Sequence, residues 1–444
     1  MNGKLDFYVI PDLHMIPPTL KLTREQRFDQ RCIQETIAIH KAVFADVLSD
    51  TNTSIIIVPG DLTNSGELEA HKALVQELEE IEAQGKNIFV ISAAHDYCEK
   101  TRFEGFTPTN RDEIPAMYAK FMHNKAYSVA PDGHSYVANL NDDVAIFGLN
   151  DDKKPEKGVT GYGFDKETLD WIKAECDKAN EKGVTLLAMT HHPLLPPNSL
   201  YPIVGKGDLI QNWEATAAFL ADCGIKYIFT GHTHMHNVAE YTSQSGNKIY
   251  DINTASIVGY PHGYRFVSLS DDGMTYETRQ ARTYDFDEIG DRTAGEYAYD
   301  NFKRLLDREK QRVTSGADGL AEVAKIKGDK LKKLRPALAI ASKIADKLTL
   351  KKLGRLVGKG KYIPEDVSDK YFKDVIIDLV LAMYHGGESY TPDTSLYKAL
   401  DAIFSGVENI CRKIGKDSIC NITGSLREGF LYDVGPADWD GHIG

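Results

Sequence analysis

Short apolar runs alternate with longer amphipathic stretches through the first two-thirds of the chain. The runs at residues 7–10, 55–58, 88–91, 184–189 and 227–229 are compact, and several are β-branched and bounded by turn residues. Such runs predict strands covered on both faces. Between them apolar positions recur at roughly helical period. Phe28, Cys32, Ile33, Ile37, Val43, Phe44, Val47 and Leu48 mark one helix, predicted to start near Thr23 with Gln26 placed for a capping box. A second is predicted to start near Asn64, with Glu67 three residues on, and others over about 166–180 and 213–222. From Val238 to Arg279 short strands broken by Ser245-Gly246-Asn247 and Asp271-Asp272-Gly273 predict an antiparallel meander closing a second sheet. After about Asp300 strand signals nearly vanish and the remainder reads as helical. The expected division is a domain of alternating strands and helices over 1–295 and a helical C-terminal domain over 296–444.

A length of 444 residues agrees with two or three domains. Hydrophobic residues at 42% and charged residues at 26% exclude a disordered, collagen-like or disulfide-scaffold chain. The six cysteines are scattered without paired spacing, so free thiols are expected. No run approaches the ~18 apolar residues of a membrane span, and the chain runs directly into a strand pattern, so a cytoplasmic location is expected. A net charge of -13 disfavours nonspecific binding to nucleic acid or anionic membranes. That charge is uneven. Residues 325–361 carry thirteen Lys or Arg against Asp329 and Asp346. Leu331, Leu334, Leu338, Ala341, Ala345 and Leu348 recur there at spacings of three and four, which predicts an amphipathic helix with a basic face. That face is either simply solvated, or a lid over an anionic substrate, or a dock for an acidic partner or membrane surface. Aromatic interleaving is absent, which argues against a nucleic-acid polymer.

Five segments each follow a predicted strand: Pro11-Asp12-Leu13-His14, Pro59-Gly60-Asp61-Leu62-Thr63-Asn64, Ser92-Ala93-Ala94-His95-Asp96, Thr190-His191-His192-Pro193 and Gly231-His232-Thr233-His234. Ligands bind at the carboxyl ends of strands in open α/β sheets, so these segments are expected to converge. Carboxylates with imidazoles suit divalent Mn, Fe or Zn. In Asp12-x-His14 and His232-x-His234, alternate residues of an extended segment would point the same way. Two such pairs, with an isolated Asp and an isolated His, suit two metal sites better than one, with Asp61 as the natural bridge.

In this order the five segments resemble the motifs of calcineurin-like metallophosphoesterases over about residues 5–280. The stretch Gly60-Asp61-Leu62-Thr63-Asn64-Ser65-Gly66-Glu67 is similar to the second motif of bacterial class III cyclic-nucleotide phosphodiesterases. The resemblance implies a four-layer αββα sandwich followed by the helical domain. It implies one metal held by Asp12, His14, Asp61 and His234, and a second held by Asp61, His191 and His232. His95 would face the scissile phosphate, with Asp96 orienting it, while His192 is left to packing. The implied activity is hydrolysis of a phosphodiester, cyclic-nucleotide-like, through a metal-bound hydroxide, with a phosphomonoesterase or another nucleotide or glycerophospho diesterase as the alternative.

One departure stands out. The family's third motif carries Asn before the histidine, and here Ala94 occupies that place, so the second site loses a protein ligand. Either water, substrate or a neighbouring group such as Asn64 or Asp151–Asp152 fills the gap, or the site is degenerate and the protein serves as a binding module. Asn64 and Arg265 are candidate substrate contacts, and for Arg265 a structural salt bridge competes. His40, His71 and His123 are expected to be packed or surface residues.

Overall fold

A computed structural model describes the chain except residues 1–3, 24, 28, 153–160, 200, 320–331, 333–334, 336–338, 340–341, 344–345, 387–389, 414, 416–420, 422, 426, 428–430 and 432–436. Thirteen strands are β1 Leu5–Val9, β2 Ile55–Pro59, β3 Asn87–Ile91, β4 Ala126–Val129, β5 Tyr136–Asn139, β6 Val144–Gly148, β7 Thr185–Met189, β8 Tyr227–Thr230, β9 Asn237–Thr242, β10 Lys248–Asn253, β11 Gly263–Ser270, β12 Gly273–Gln280 and β13 Gly441–Ile443 among the described residues. They form two mixed sheets, ordered β13-β12-β11-β1-β2-β3 and β4-β5-β6-β7-β8-β10-β9. The pairs β1·β2, β2·β3, β6·β7, β7·β8 and β8·β10 are parallel.

The apolar runs dictate how the layers stack. Residues of β2 are buried along its whole length. Phe7 of β1 meets Phe229 of β8 edge to face at 5.3 Å, so the two sheets pack on each other. Successive strand residues face opposite sides. Ile146 accordingly joins the core between the sheets, while Phe147 joins Ile172, Cys176 and Leu220 under the outer helices Lys166–Lys182 and Trp213–Asp222. Helices Thr36–Ser49 and Leu68–Glu82 cover the first sheet through Val43, Phe44, Leu74 and Leu78. The expected αββα sandwich is therefore the observed architecture.

Several local expectations are corrected by long-range contacts. The capping box at Thr23 exists: its N–H donates to Gln26 Oε1 at 2.8 Å. Among the described residues no α-helix follows it directly, because the next backbone is taken elsewhere. Cys32 N–H donates to the Val258 carbonyl at 2.7 Å and Arg31 bridges to Gly259, so the helix waits until Thr36. Likewise Asn64 N–H donates to Met15 O and Glu67 bridges to Pro108, which delays the second helix to Leu68. The meander is split between layers. β9 and β10 edge the second sheet, whereas β11 pairs with β1 and β12 in the first. Strands β4–β6 and β13 were not expected.

Helix Ala294–Thr314 begins close to the expected boundary, but its Ala294 and Tyr297 join the sandwich core, and β13 returns to pair with β12. Helices Leu350–Leu356, Phe372–His385 and Ser395–Lys413 share a separate core that includes Leu350, Val375, Leu379 and Leu400. Of the basic segment 325–361, most of 325–345 lies outside the described residues. Among the described residues no helix is long and apolar enough to cross a membrane.

Candidate metal centre

β1, β2 and β3 are neighbours in one sheet, and β6, β7 and β8 are neighbours in the other. Their carboxyl ends deliver Asp12 and His14, Asp61, His95 and Asp96, then Asp151 and Asp152, His191, and His232 and His234. Five of the six expected metal ligands hold positive φ: Asp12 at 53°, His14 at 45°, Asp61 at 49°, His232 at 67° and His234 at 56°. The two His-containing pairs are thus not extended segments. Their side chains converge because each ligand sits in a left-handed kink, which costs a non-glycine residue roughly 1–2 kcal/mol. Backbone bonds hold the first kinks in place: Asp12 N–H donates to Gly60 O, and His14 N–H to Asp61 O. Strain kept at so many adjacent positions marks a functional site.

The distances bring the candidate ligands into overlapping groups. His14 Nε2 and His234 Nε2 lie 3.0 Å apart, and His234 Nε2 is 3.3 Å from Asp12 Oδ1. Asp61 Oδ2 lies 3.8 Å from His14 Nε2 and 3.2 Å from His191 Nε2. Donor atoms of Asp12, His14 and His234 lie within 4.8 Å of one another, as do those of Asp12, Asp61 and His191, and those of His191, His192 and His232. Burial opposes charge on Asp61 and His191 alike, but their mutual attraction wins: Asp61 is held well below the carboxylate range and His191 well above the usual imidazole range. Burial and the Arg31 charge push His14 down.

His95 joins His14 and Asp61 in a further group, and its ring nitrogen Nδ1 lies 2.7 Å from the Asn64 carbonyl. The carbonyl only accepts, so Nδ1 carries the hydrogen and Nε2 is left free. This corrects the role expected of Asp96. Its carboxylate accepts from Thr63 N–H at 2.7 Å, Thr63 Oγ1 at 3.1 Å and Ala93 N–H at 2.8 Å. Asp96 therefore ties the second and third motif loops together, and Asn64 orients His95. Burial, with the Asp61 charge, raises Asp96 to about 7. Asn64 is fully buried, with its Nδ2 donating to Ser65 Oγ. Arg265, the other candidate substrate contact, has its guanidinium committed elsewhere. It is fully buried on β11, and its guanidinium donates to the carbonyls of Asn253, Asp438 and Trp439. It joins the C-terminal residues to the sandwich, through carbonyls rather than a salt bridge.

His192, left to packing on sequence grounds, and Asp151, named there only as a neighbour that could fill the gap, stand together at the site. His192 is fully buried against Asp151, and Tyr162 stacks on its ring at 3.3 Å. Burial pushes His192 down to about 4. The signal for Asp151 was the apolar run 144–147 with Asn150-Asp151-Asp152 directly behind it. His40 and His71, expected to pack, do so with satisfied rings: His40 between Glu77 and the Leu13 carbonyl, His71 between Tyr118 and the Asp96 carbonyl.

Cations fit this donor set. His191 Nε2 and His192 Nε2 are buried without a hydrogen-bond partner, and two imidazole nitrogens 3.0 Å apart would otherwise share one proton. Asp12, His14, Asp61 and His234 would hold one ion, and Asp61, His191 and His232 another.

A search of curated proteins found no match. Among solved structures, a dimetal phosphatase from Danio rerio is similar at 14% identity and a TM-score of 0.46, covering 63% of this chain and 97% of its own. A purple acid phosphatase from yellow lupin seeds is similar at 12% identity and a TM-score of 0.41, covering 63% of this chain and 52% of its own. An NAD nucleotidase from Haemophilus influenzae is similar at 12% identity and a TM-score of 0.34, covering 78% of this chain and 62% of its own. The family model described as calcineurin-like phosphoesterase matches residues 5–236, more than half of the chain. With that match on a sandwich whose strand ends gather the expected carboxylates and histidines, the chain belongs to the calcineurin-like phosphoesterase family.

Proposed function

We propose that the protein is a binuclear metal-dependent phosphoesterase acting on a phosphodiester of the cyclic-nucleotide class. The observation that carries the binuclear reading is Asp61. One of its oxygens lies 3.2 Å from His191 Nε2 and 3.8 Å from His14 Nε2, between two sets of donors. Divalent Mn, Fe or Zn bound there would neutralise charge on a phosphoryl group and make water acidic. Asp12 and Asp61 supply the negative charge that attracts the ions. His95, with Nδ1–H committed to the Asn64 carbonyl, keeps Nε2 for a substrate oxygen. It donates there only when the ring carries both protons. The Asp96 carboxylate holds the Thr63 and Ala93 backbones in register, so the second and third loops present their groups together. The similarity of residues 60–67 to the cyclic-nucleotide phosphodiesterase motif supports the diester over a monoester.

The test uses full-length protein stripped of metal and reloaded with Mn, Fe or Zn. It is expected to hydrolyse bis(4-nitrophenyl) phosphate faster than 4-nitrophenyl phosphate. The reverse order would favour the monoesterase. Ala94 favours a second reading, a binding module without turnover; a folded, metal-loaded protein that cleaves neither ester would establish it.

A further inference from the structure

We infer that His192, oriented by Asp151, holds the second ion in place of the ligand missing at Ala94. The inference rests on the binuclear reading above. His192 Nδ1 lies 3.1 and 3.2 Å from the two oxygens of Asp151, and its backbone N–H donates to Asp151 Oδ2 at 2.9 Å. A carboxylate only accepts, so Nδ1 carries the hydrogen. A ring with one proton then has a bare lone pair on Nε2. That atom is fully buried and has no hydrogen-bond partner. A residue that only filled space would not need such an atom there.

The neighbours of His192 are ligands. One of its ring nitrogens lies within 4.8 Å of ligand atoms of His191 and His232, and the ring centroids are 4.9 and 4.2 Å apart. A carboxylate on the far ring nitrogen is the partner that metal-bound histidines ordinarily have, because it fixes the tautomer and raises basicity. Asp152 extends the cluster. It is 3% exposed, both its oxygens lack hydrogen-bond partners, and its donor atom lies within 4.8 Å of those of Asp151 and His192. The segment also lies beside the altered loop, since Asn150 Nδ2 donates to the Ser92 carbonyl at 2.9 Å. A bare, buried ring nitrogen grouped with His191 and His232, with a carboxylate on the other ring nitrogen, suits a cation.

The experiment titrates stripped full-length protein with Mn(II) by calorimetry and with Co(II) by absorption spectroscopy. Wild type is expected to bind two equivalents. His192→Ala is expected to keep the first and to bind the second at least ~10–100-fold more weakly, with a changed Co(II) band as a nitrogen leaves the coordination sphere. Asp151→Asn, which keeps the shape but not the charge, is expected to weaken the second equivalent about tenfold. His192→Gln serves as the variant that preserves side-chain volume, and circular dichroism checks that each variant folds. Two equivalents of unchanged affinity in folded His192→Ala or His192→Gln would overturn the inference. Either wild-type outcome, one equivalent or none, would sink the binuclear reading itself, whereas an unaffected second equivalent in the variants would overturn only the inference.

Discussion

Gly60→Ala probes the second ligand set without touching a ligand. Gly60 holds φ +83° between β2 and Asp61. A methyl group there would lie 2.7 Å from His191 Nδ1 and 2.9 Å from its Cβ and Cγ. Ordinary contact begins at 3.4 Å, so the ring must retreat by the difference from 2.7, about 0.7 Å. It has little freedom to do so. His191 is buried, and its Nδ1 is held 2.9 Å from the Pro59 carbonyl. A misplacement on the order of 1 Å costs about 10²-fold in rate. The left-handed backbone adds roughly 1–2 kcal/mol for a residue with a Cβ. At about 2–4 °C per kcal/mol, thermal unfolding is expected to shift down by about 2–8 °C. Affinity for the second metal equivalent is expected to fall about 10–100-fold. Thermal unfolding of stripped protein and Mn(II) calorimetry read the two effects separately. A folded Gly60→Ala with wild-type affinity for both equivalents and wild-type rate would refute the argument that close approach to His191 requires glycine.

Asp61→Asn is expected to reduce hydrolysis of bis(4-nitrophenyl) phosphate by more than about 100-fold, with loss of at least one metal equivalent measured by elemental analysis. Ala94→Asn restores the family's residue; with His192 holding the second ion it is expected to raise activity less than tenfold, whereas a rise of tenfold or more would mean the position had been empty. His40 gives a pH test. Burial pushes its pKa down, but Glu77 and the Leu13 carbonyl, each 2.7 Å from a ring nitrogen, raise it above its ordinary 6.5. Its stabilising contribution is therefore full below about 6.5 and lost as pH rises through the folded value. The stability difference between wild type and His40→Leu, measured by urea unfolding, is expected to shrink as pH rises from 6 to 9, and a pH-independent difference would count against the charged pairing.

The sequence by itself determined the strands that carry the site and the chemistry they deliver. The runs at 55–58 and 184–189 are local patterns, and their polar successors Asp61 and His191 are identified by residue type, so both are readable without coordinates. Helix starts were less readable, because the capping box at Thr23 lost to backbone pairing with Val258 and Gly259, more than two hundred residues away. A long-range pairing likewise hid β13, whose three residues have no strand signal of their own and exist as a strand only because β12 offers an edge. Within the site, residue type could not say that the ligand pairs are kinked rather than extended, since left-handed φ is imposed by the loops they bond to. Nor could it say that Arg265 is spent on carbonyls of the chain's end, that Asp96 ties loops together, or that Asp151 stands behind His192. Each of these is a contact between segments far apart in sequence, and such contacts are chosen by packing, which no local pattern encodes.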